Sequence, residues 1–143
     1  MQIVIDADAC PVTRLAAEQA RARGVGCVIV CDTAHFIELE GCRTVTVDKG
    51  ADSADYKIVS LARKGDIVIT QDYGLAAMCL AKECRALNQN GLIYSNKNIE
   101  NLLYVRYVGK EIRMAGGRTK GPKKRTKEQD EAFLKALKFL LDG

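Results

Sequence analysis

The chain has 143 residues, of which 48% are hydrophobic and 28% are charged, and its formal net charge is +4. This length and balance are typical of one globular domain with a sizeable core, and they exclude a disordered chain. No apolar run approaches the roughly 20 residues that a membrane span requires, and the first residues lack the pattern of a signal peptide. We therefore expect a single domain over residues 1–143, located in the cytoplasm and without a membrane partner.

Short, continuous apolar runs alternate with helix-like segments along the first two thirds of the chain. Continuous runs indicate strands that are covered on both faces, as in a parallel sheet, whereas strands with one exposed face alternate between apolar and polar residues. Five strands are predicted in this way, at Ile3–Ile5, Cys27–Val30, Val45–Val47, Ile67–Ile69 and Leu92–Tyr94.

Three helices are predicted between these strands. The first begins near Pro11 and stops before Gly24, the second covers about Ser53–Lys64, and the third covers Leu75–Cys84. Pro suits a first helical turn and Gly a helix end. Strands that alternate with helices of this length predict a doubly wound α/β fold, with a mainly parallel sheet and helices on both faces.

The C-terminal third has a different pattern. Asn98 is a plausible N-cap of a fourth helix, and a Gly/Pro-rich stretch at 116–122 ends regular structure. Thr126 and Gln129 have the spacing of a capping box, which opens a last, amphipathic helix that carries Phe133. We expect this C-terminal helix to dock on the domain.

The six cysteines are spread through the chain, without a Cys-x-x-Cys pair and with one histidine, His35, in the whole sequence. Zinc sites usually need close ligand pairs, and disulfide frameworks belong to exported proteins. The cysteines are therefore interpreted as small buried hydrophobic residues.

Aspartates recur where the predicted strands end. Asp6 and Asp8 follow the first strand, Asp48 follows the third, and Asp72 follows the strand that ends at Thr70. Because the carboxyl ends of parallel strands share one edge of the sheet, these side chains should lie close together. Asp48 and Asp72 have an alternative interpretation as turn or capping residues.

The start of the second helix adds two more acidic residues to this edge. Asp52, Asp55, Val59 and Ala62 share one helical face. Since the apolar end of that face should press on the sheet, its acidic end should point inward over the strand ends. Asp52 has an alternative role as an N-cap, but a structural role explains Asp55 less well.

Clustered carboxylates repel one another. Two unit charges about 4 Å apart repel by roughly 4 kcal/mol at an effective dielectric constant near 20, so either some carboxylates stay protonated or a cation lies among them. Carboxylate oxygens are the ligands that Mg²⁺ and Mn²⁺ prefer. The sequence therefore predicts one or two Mg²⁺ or Mn²⁺ ions, held by Asp6, Asp8, Asp52, Asp55 and Asp72.

Four stretches of the chain resemble the YaiI/YqxD family of uncharacterised bacterial proteins. They are IDADACPV at 5–12, GADSAD at 50–55, TQDYGLA at 70–76 and GGRTKGP at 116–122. That family is in turn similar to PIN-like nucleases, so the resemblance implies a metal-dependent nuclease that acts on RNA more often than on DNA. The acidic roles of such nucleases map onto Asp6, onto Asp52 or Asp55, and onto Thr70 with Asp72.

A catalytic hypothesis follows from the residues and the resemblance together. The catalytic residues are Asp6, Asp8, Asp55, Asp72 and Thr70, with Thr70 orienting a carboxylate or a water. No organic cofactor is needed.

The segment from Lys110 to Lys127 is strongly basic, with eight Lys or Arg residues and one acid, Glu111. A basic segment beside an acidic site fits a polyanionic partner, and several cations on one loop can contact one phosphate backbone. The candidate nucleic-acid-binding residues are Arg113, Arg118, Lys120, Lys123, Lys124, Arg125 and Lys127. Tyr104 and Tyr107, on the preceding helix, fit either base stacking or the core.

Two other functions remain open at this point. Asp6 and Asp8 also resemble the nucleophile and the acid/base of a haloacid dehalogenase-type phosphatase, although no later acidic pair follows a strand. The chain could instead be a catalytically inactive RNA-binding module with a vestigial acidic cluster. The sequence leaves a homodimer open as well.

Overall fold

Five parallel strands form one sheet in the computed structural model, which describes residues 1–50, 53–116 and 124–143. The order across the sheet is β3-β2-β1-β4-β5, so β1 lies at its centre. All four strand pairs are parallel. The strands are β1 (Gln2–Asp6), β2 (Gly26–Asp32), β3 (Arg43–Val47), β4 (Ile67–Ile69) and β5 (Arg85–Leu87).

Helices cover both faces of this sheet, which confirms the predicted α/β class. Ile3 and Ile5 of β1 belong to a buried cluster with α1 and α5. Val4 points to the opposite face and packs with α2, α3 and α4. Burial on both faces explains why the strands read as continuous apolar runs. The helices are α1 (Thr13–Ala22), α2 (Ser53–Leu61), α3 (Tyr73–Ala81), α4 (Asn96–Met114) and α5 (Lys127–Asp142).

The cysteines contribute to the core. All six are free thiols, and Cys27, Cys31, Cys79 and Cys84 are buried. Cys31 packs in the cluster with α1 and α5, while Cys79 packs in the opposite cluster. The interpretation of these residues as small buried hydrophobic residues is therefore confirmed for those four.

The fifth strand lies at a different place from the one predicted. It is Arg85–Leu87, and the predicted strand at Leu92–Tyr94 forms only an isolated antiparallel bridge, between Leu87 and Ile93. Arg85–Leu87 escapes sequence analysis because it is short and contains no β-branched or aromatic residue. The 92–94 segment is apolar for another reason, since Tyr94 is buried and its hydroxyl donates to the carbonyl oxygen of Thr70 at 3.0 Å.

The helix caps match the prediction at α5 and differ at α4. Thr126 and Gln129 form the expected capping box of α5. In α4 the N-cap is Ser95, and Asn98 is the third helical residue, whose side chain completes a capping box. Both residue types cap well, so the sequence alone does not decide between them. Among the residues described, no helix combines the length and the apolar character that crossing a bilayer requires.

Gly91 holds α5 close to the turn that follows β5. Its φ is +86°, and a Cβ atom there would lie 2.5 Å from the carbonyl oxygen of Ala132 in α5. Gly65 has the same φ of +86°, but a Cβ at that position meets nothing within 4 Å. The two glycines therefore share a backbone requirement and differ only in the space around them.

We predict that Gly91→Ala lowers the free energy of unfolding more than Gly65→Ala does. Both changes carry the cost of a left-handed conformation, of about 1 kcal/mol. Only Gly91→Ala also forces α5 to move, which adds about 1–3 kcal/mol. Urea unfolding of the two variants measures the difference, and equal losses would show that α5 does not depend on this close approach.

Candidate metal centre

Polar side chains collect at the carboxyl edge of the sheet. Asp6 ends β1, Asp32 ends β2, and Thr70 follows β4 directly. These are the three adjacent central strands of the sheet. Asp8 lies two residues beyond Asp6, in a loop where Ala9 has a positive φ of 60°.

Thr70 fixes the orientation of the Asp6 carboxylate. Its hydroxyl donates to Asp6 Oδ2 at 2.8 Å and accepts the backbone N–H of Asp72 at 3.0 Å. Thr70 is only 2% exposed, and Tyr94 holds its carbonyl oxygen. Since the Thr70 oxygen accepts a hydrogen bond from the backbone N–H of Asp72, its own proton is directed at Asp6.

The pKa of the Asp6 carboxyl is raised. Burial raises its pKa from the ordinary 3.8 to about 6, against the hydrogen bond from Thr70, which lowers it. The charges of Asp55, Asp8 and Asp72 raise the pKa further, in that order. Four of the predicted aspartates are thus close enough for their charges to act on one another.

Asp55 reaches this edge from the first turn of α2, where it is half-buried. Ile58 and Ala62, further along the chain, are fully buried against the sheet. Val59, which the sequence pattern placed on the same face as Asp55 and Ala62, is only partly buried. The charge of Asp55 nevertheless acts on the Asp6 carboxyl, which places the two groups near each other. Asp52 lies outside the described residues.

Asp72 combines the two roles that its sequence position suggests. As the N-cap of α3, its Oδ1 accepts the backbone N–H groups of Gly74 and Leu75 at 2.9 and 3.2 Å. The same oxygen faces Arg106 Nη1 of α4 at 3.3 Å. Sequence analysis did not select Arg106, because a contact between residues 34 positions apart leaves no local signal.

A second group of ligands lies beside Asp6. Single ligand atoms of Asp8, Asp32 and His35 all lie within 4.8 Å of one another, close enough to share one metal ion. His35 Nδ1 is 2.8 Å from Asp32 Oδ1 and 3.9 Å from Asp8 Oδ1, and the backbone N–H of Asp32 donates to Asp8 Oδ1 at 3.2 Å. Among the described residues, no such group of three includes Asp6, Asp55 or Asp72.

Asp32 and His35 were not predicted as metal ligands, although the sequence contains a signal for Asp32. Asp32 ends its strand in the same way as Asp6, so the strand-end rule covers it as well. Desolvation raises the pKa of Asp32, but the His35 ring and the backbone N–H of Ala34 outweigh it, so the pKa of Asp32 is lowered. Asp32 is therefore a carboxylate at neutral pH.

Two neighbouring clefts open at this edge. An acidic cleft of about 440 Å³ is lined by Asp6, Asp8, Ala9, Gln71, Asp72, Tyr73 and Arg106. A larger cleft of about 740 Å³ lies next to it, and Ala9 and Gln71 line both. Asp48 is exposed at the end of β3, two strands away from β1, and lines neither cleft.

The structure distinguishes among the predicted basic residues. Arg113, Lys124 and Lys127 are exposed. Arg125 is bound within the fold, since its guanidinium donates to Asp130 and Asn90 side chains at 2.7 and 2.8 Å and to the Gln89 carbonyl at 2.6 Å. Arg118, Lys120 and Lys123 lie outside the described residues.

The tyrosines of α4 are not part of the core. Tyr104 is 65% exposed and Tyr107 is 60% exposed. Of the two interpretations that the sequence offers, the core placement is therefore wrong.

The fold and the site together define a doubly wound α/β protein with an acidic centre at the carboxyl edge of its sheet. The chain belongs to the YaiI/YqxD family, because the model described as "Uncharacterized BCR, YaiI/YqxD family" matches residues 4–143.

Relatives and a solved structure show the extent of the similarity. The chain is 51% identical over 137 residues to a "UPF0178 protein" of Ruminiclostridium cellulolyticum, covering 96% of this chain and 90% of that protein. It is 50% identical over 141 residues to one of Exiguobacterium sibiricum, with coverages of 99% and 96%. A crystal structure of a Rae1 (YacP) mutant from Bacillus subtilis matches with a TM-score of 0.49 and 15% identity, covering 95% and 92% of the two chains.

We predict that the Asp6 carboxylate makes stability depend on pH. A carboxyl whose pKa is higher in the folded than in the unfolded state stabilises the fold below its unfolded pKa, and this contribution is lost as pH rises through the folded pKa. A rise from 3.8 to about 6 corresponds to about 3 kcal/mol, lost between about pH 4 and pH 7.

Urea unfolding of chelator-treated protein at pH 4 and pH 7 tests this. Asp6→Asn, which retains an oxygen for Thr70, should be more stable than the wild type at pH 7 and equal to it at pH 4. Asp48→Asn, at an exposed site, should follow the wild type at both. A difference between Asp6→Asn and the wild type that does not change with pH would contradict the assigned pKa.

Proposed function

We propose that this chain is a metal-dependent nuclease that hydrolyses phosphodiester bonds of single-stranded RNA at the acidic cleft. The observation that carries the proposal is the meeting of Asp6, Asp8, Asp55 and Asp72, whose charges act together on the Asp6 carboxyl. Buried, mutually repelling carboxylates are costly to a fold, and such groups concentrate where a cation or a reaction needs them. The bacterial relatives support a cytoplasmic site of action.

The chemistry of the donor set suits divalent cations, and within the described parts of the chain Asp8, Asp32 and His35 are the group whose ligand atoms lie close enough to share one ion. Asp6, Asp8, Asp55 and Asp72 would hold Mg²⁺ or Mn²⁺ through carboxylate oxygens, which both ions prefer. Asp8 is shared with Asp32 and His35, and an imidazole nitrogen favours Mn²⁺ over Mg²⁺ at that position. When bound, the cation supplies Lewis acidity, which activates a water and neutralises charge on the leaving oxygen.

The residues of the chain have separate tasks around the reacting phosphate. Thr70 holds the Asp6 carboxylate in one orientation, and the backbone N–H groups of Gly74 and Leu75 hold the Asp72 carboxylate. Arg106 lines the acidic cleft and supplies a guanidinium group, which suits a phosphate oxygen geometrically. The resemblance to PIN-like nucleases is what favours RNA over DNA as the substrate.

We predict metal-dependent cleavage of a labelled single-stranded RNA. The wild type with Mn²⁺ should cut the strand, and excess EDTA should abolish the cutting. Asp6→Asn and Asp72→Asn should each lower the cleavage rate by at least about 100-fold, because each removes an anionic ligand. Asp48→Asn, which changes an aspartate outside both clefts, is the matched control and should cut like the wild type.

Each other outcome of this assay has a definite meaning. Cutting that survives both Asp6→Asn and Asp72→Asn would refute the assignment to this centre. Salt-sensitive RNA binding without any cutting would support the inactive binding module instead. Failure both to bind and to cut RNA would reject RNA as the substrate.

We also predict that two exposed lysines at the start of α5, Lys124 and Lys127, contribute to RNA binding by contacting phosphates. Each Lys that neutralises a phosphate of a single strand adds about 0.7 to the slope of log affinity against log salt concentration. Lys124→Gln and Lys127→Gln should each reduce the slope by that amount in filter-binding titrations. Lys138→Gln, on an exposed part of α5 further from the clefts, should leave the slope unchanged. Unchanged slopes in all three variants would exclude these lysines from the phosphate contact.

A further inference from the structure

The larger of the two clefts, of about 740 Å³, has no role in the chemistry proposed above apart from that of His35, which lines it. It lies between the N-terminal ends of α1 and α5, the loop after β2 and the turn after β5. Its volume is within the range of pockets that hold small organic groups. Because Ala9 and Gln71 line both clefts, a group bound in the larger one would be next to a phosphate in the acidic one.

The walls of this cleft carry neutral amide groups in fixed orientations. Gln71 Nε2 donates to the carbonyl oxygen of Ala9 at 3.0 Å, which leaves Gln71 Oε1 as an acceptor. Asn90 Oδ1 accepts from Arg125, and Gln129 Oε1 accepts the backbone N–H of Thr126. The amide nitrogens of Asn90 and Gln129 therefore remain as donors.

Gln89 also lines the cleft, but its side-chain oxygen is not open to a ligand. Gln89 Oε1 is buried and forms no hydrogen bond with any of the described residues. A buried acceptor without a partner costs about 1–3 kcal/mol. The donors and acceptors that this cleft offers to a ligand are therefore those of Gln71, Asn90 and Gln129.

An aromatic side chain completes the cleft. Phe36, in the loop after β2, lines it and is 59% exposed. Arg125, the guanidinium among the described residues that line the cleft, is already bound to Asp130, Asn90 and Gln89, and so it positions the amides instead of attracting a phosphate. A planar apolar surface beside fixed amide donors and acceptors has the chemistry that recognises a nucleobase.

We propose that the larger cleft binds a nucleobase of the nucleic acid strand, stacked on Phe36, with its edge against Gln71, Asn90 and Gln129. The base and the phosphate in the acidic cleft are then neighbours on one strand. Reading a base edge and a base face together requires an unpaired nucleotide, so the cleft selects single-stranded substrate. The inference rests on the proposed function only in taking the ligand to be a nucleic acid strand.

Binding without cleavage tests this directly. Fluorescence polarisation with a labelled single-stranded RNA of ten nucleotides, in EDTA, gives affinities for the wild type and three variants. Phe36→Ala should bind about 5- to 150-fold more weakly, which is the range for losing one stacked base. Phe36→Trp should bind like the wild type. Phe139→Ala removes a phenylalanine that is 69% exposed near the C-terminal end of α5, and it should also bind like the wild type.

A competitor without bases separates stacking from charge. Inorganic polyphosphate should displace the RNA from a basic surface, and Phe36→Ala should not change the affinity of the protein for polyphosphate. The inference is overturned if Phe36→Ala binds RNA like the wild type or if the wild type binds no RNA. It is also overturned if Phe36→Ala weakens polyphosphate binding as much as RNA binding.

The two proposals can fail separately. Phe36-dependent RNA binding by a protein that cuts nothing would refute the nuclease and keep the base-binding cleft. Metal-dependent cutting with RNA binding that is independent of Phe36 would do the reverse.

Discussion

The carboxylates at one edge of the sheet repel one another, and the rest of the structure must offset that repulsion. Asp6 is half-buried near three other acidic groups, and its pKa rises as a result. The Thr70 hydroxyl offsets part of that cost. The remainder must be offset by the apolar clusters on the two faces of the sheet, which hold the strand ends together. Natural sequences tolerate such local conflicts mainly at functional sites.

The sheet was predictable from the sequence because its central strands are buried on both faces. Continuous apolar runs identified β1 to β4, and Gly24 marked the end of α1 correctly to within two residues. The fifth strand was misplaced, since Arg85–Leu87 has no strand-like composition while the apolar 92–94 segment does. The 92–94 segment is apolar because it packs in the tertiary structure, where the Tyr94 hydroxyl donates to the Thr70 carbonyl oxygen, and not because it forms a strand.

The candidate site was predictable to the extent that topology alone determines it. Strand ends and helix starts brought Asp6, Asp8, Asp55 and Asp72 to one edge, as the charges acting on Asp6 show. The contribution of Arg106 depends on how α4 crosses that edge, which no periodicity in the sequence encodes. The amide-lined cleft could not be predicted from the sequence either, because its walls come from five separate loops and helix ends.

The pairing of β1 with β4 has a consequence for the order in which the protein forms. Asp6 leaves the ribosome early, but its hydrogen-bond partner Thr70 follows 64 residues later, and Arg106 comes 34 residues after Asp72. Parallel strands joined over such distances pair late in folding. A nascent or prematurely terminated chain therefore holds an incomplete acidic edge.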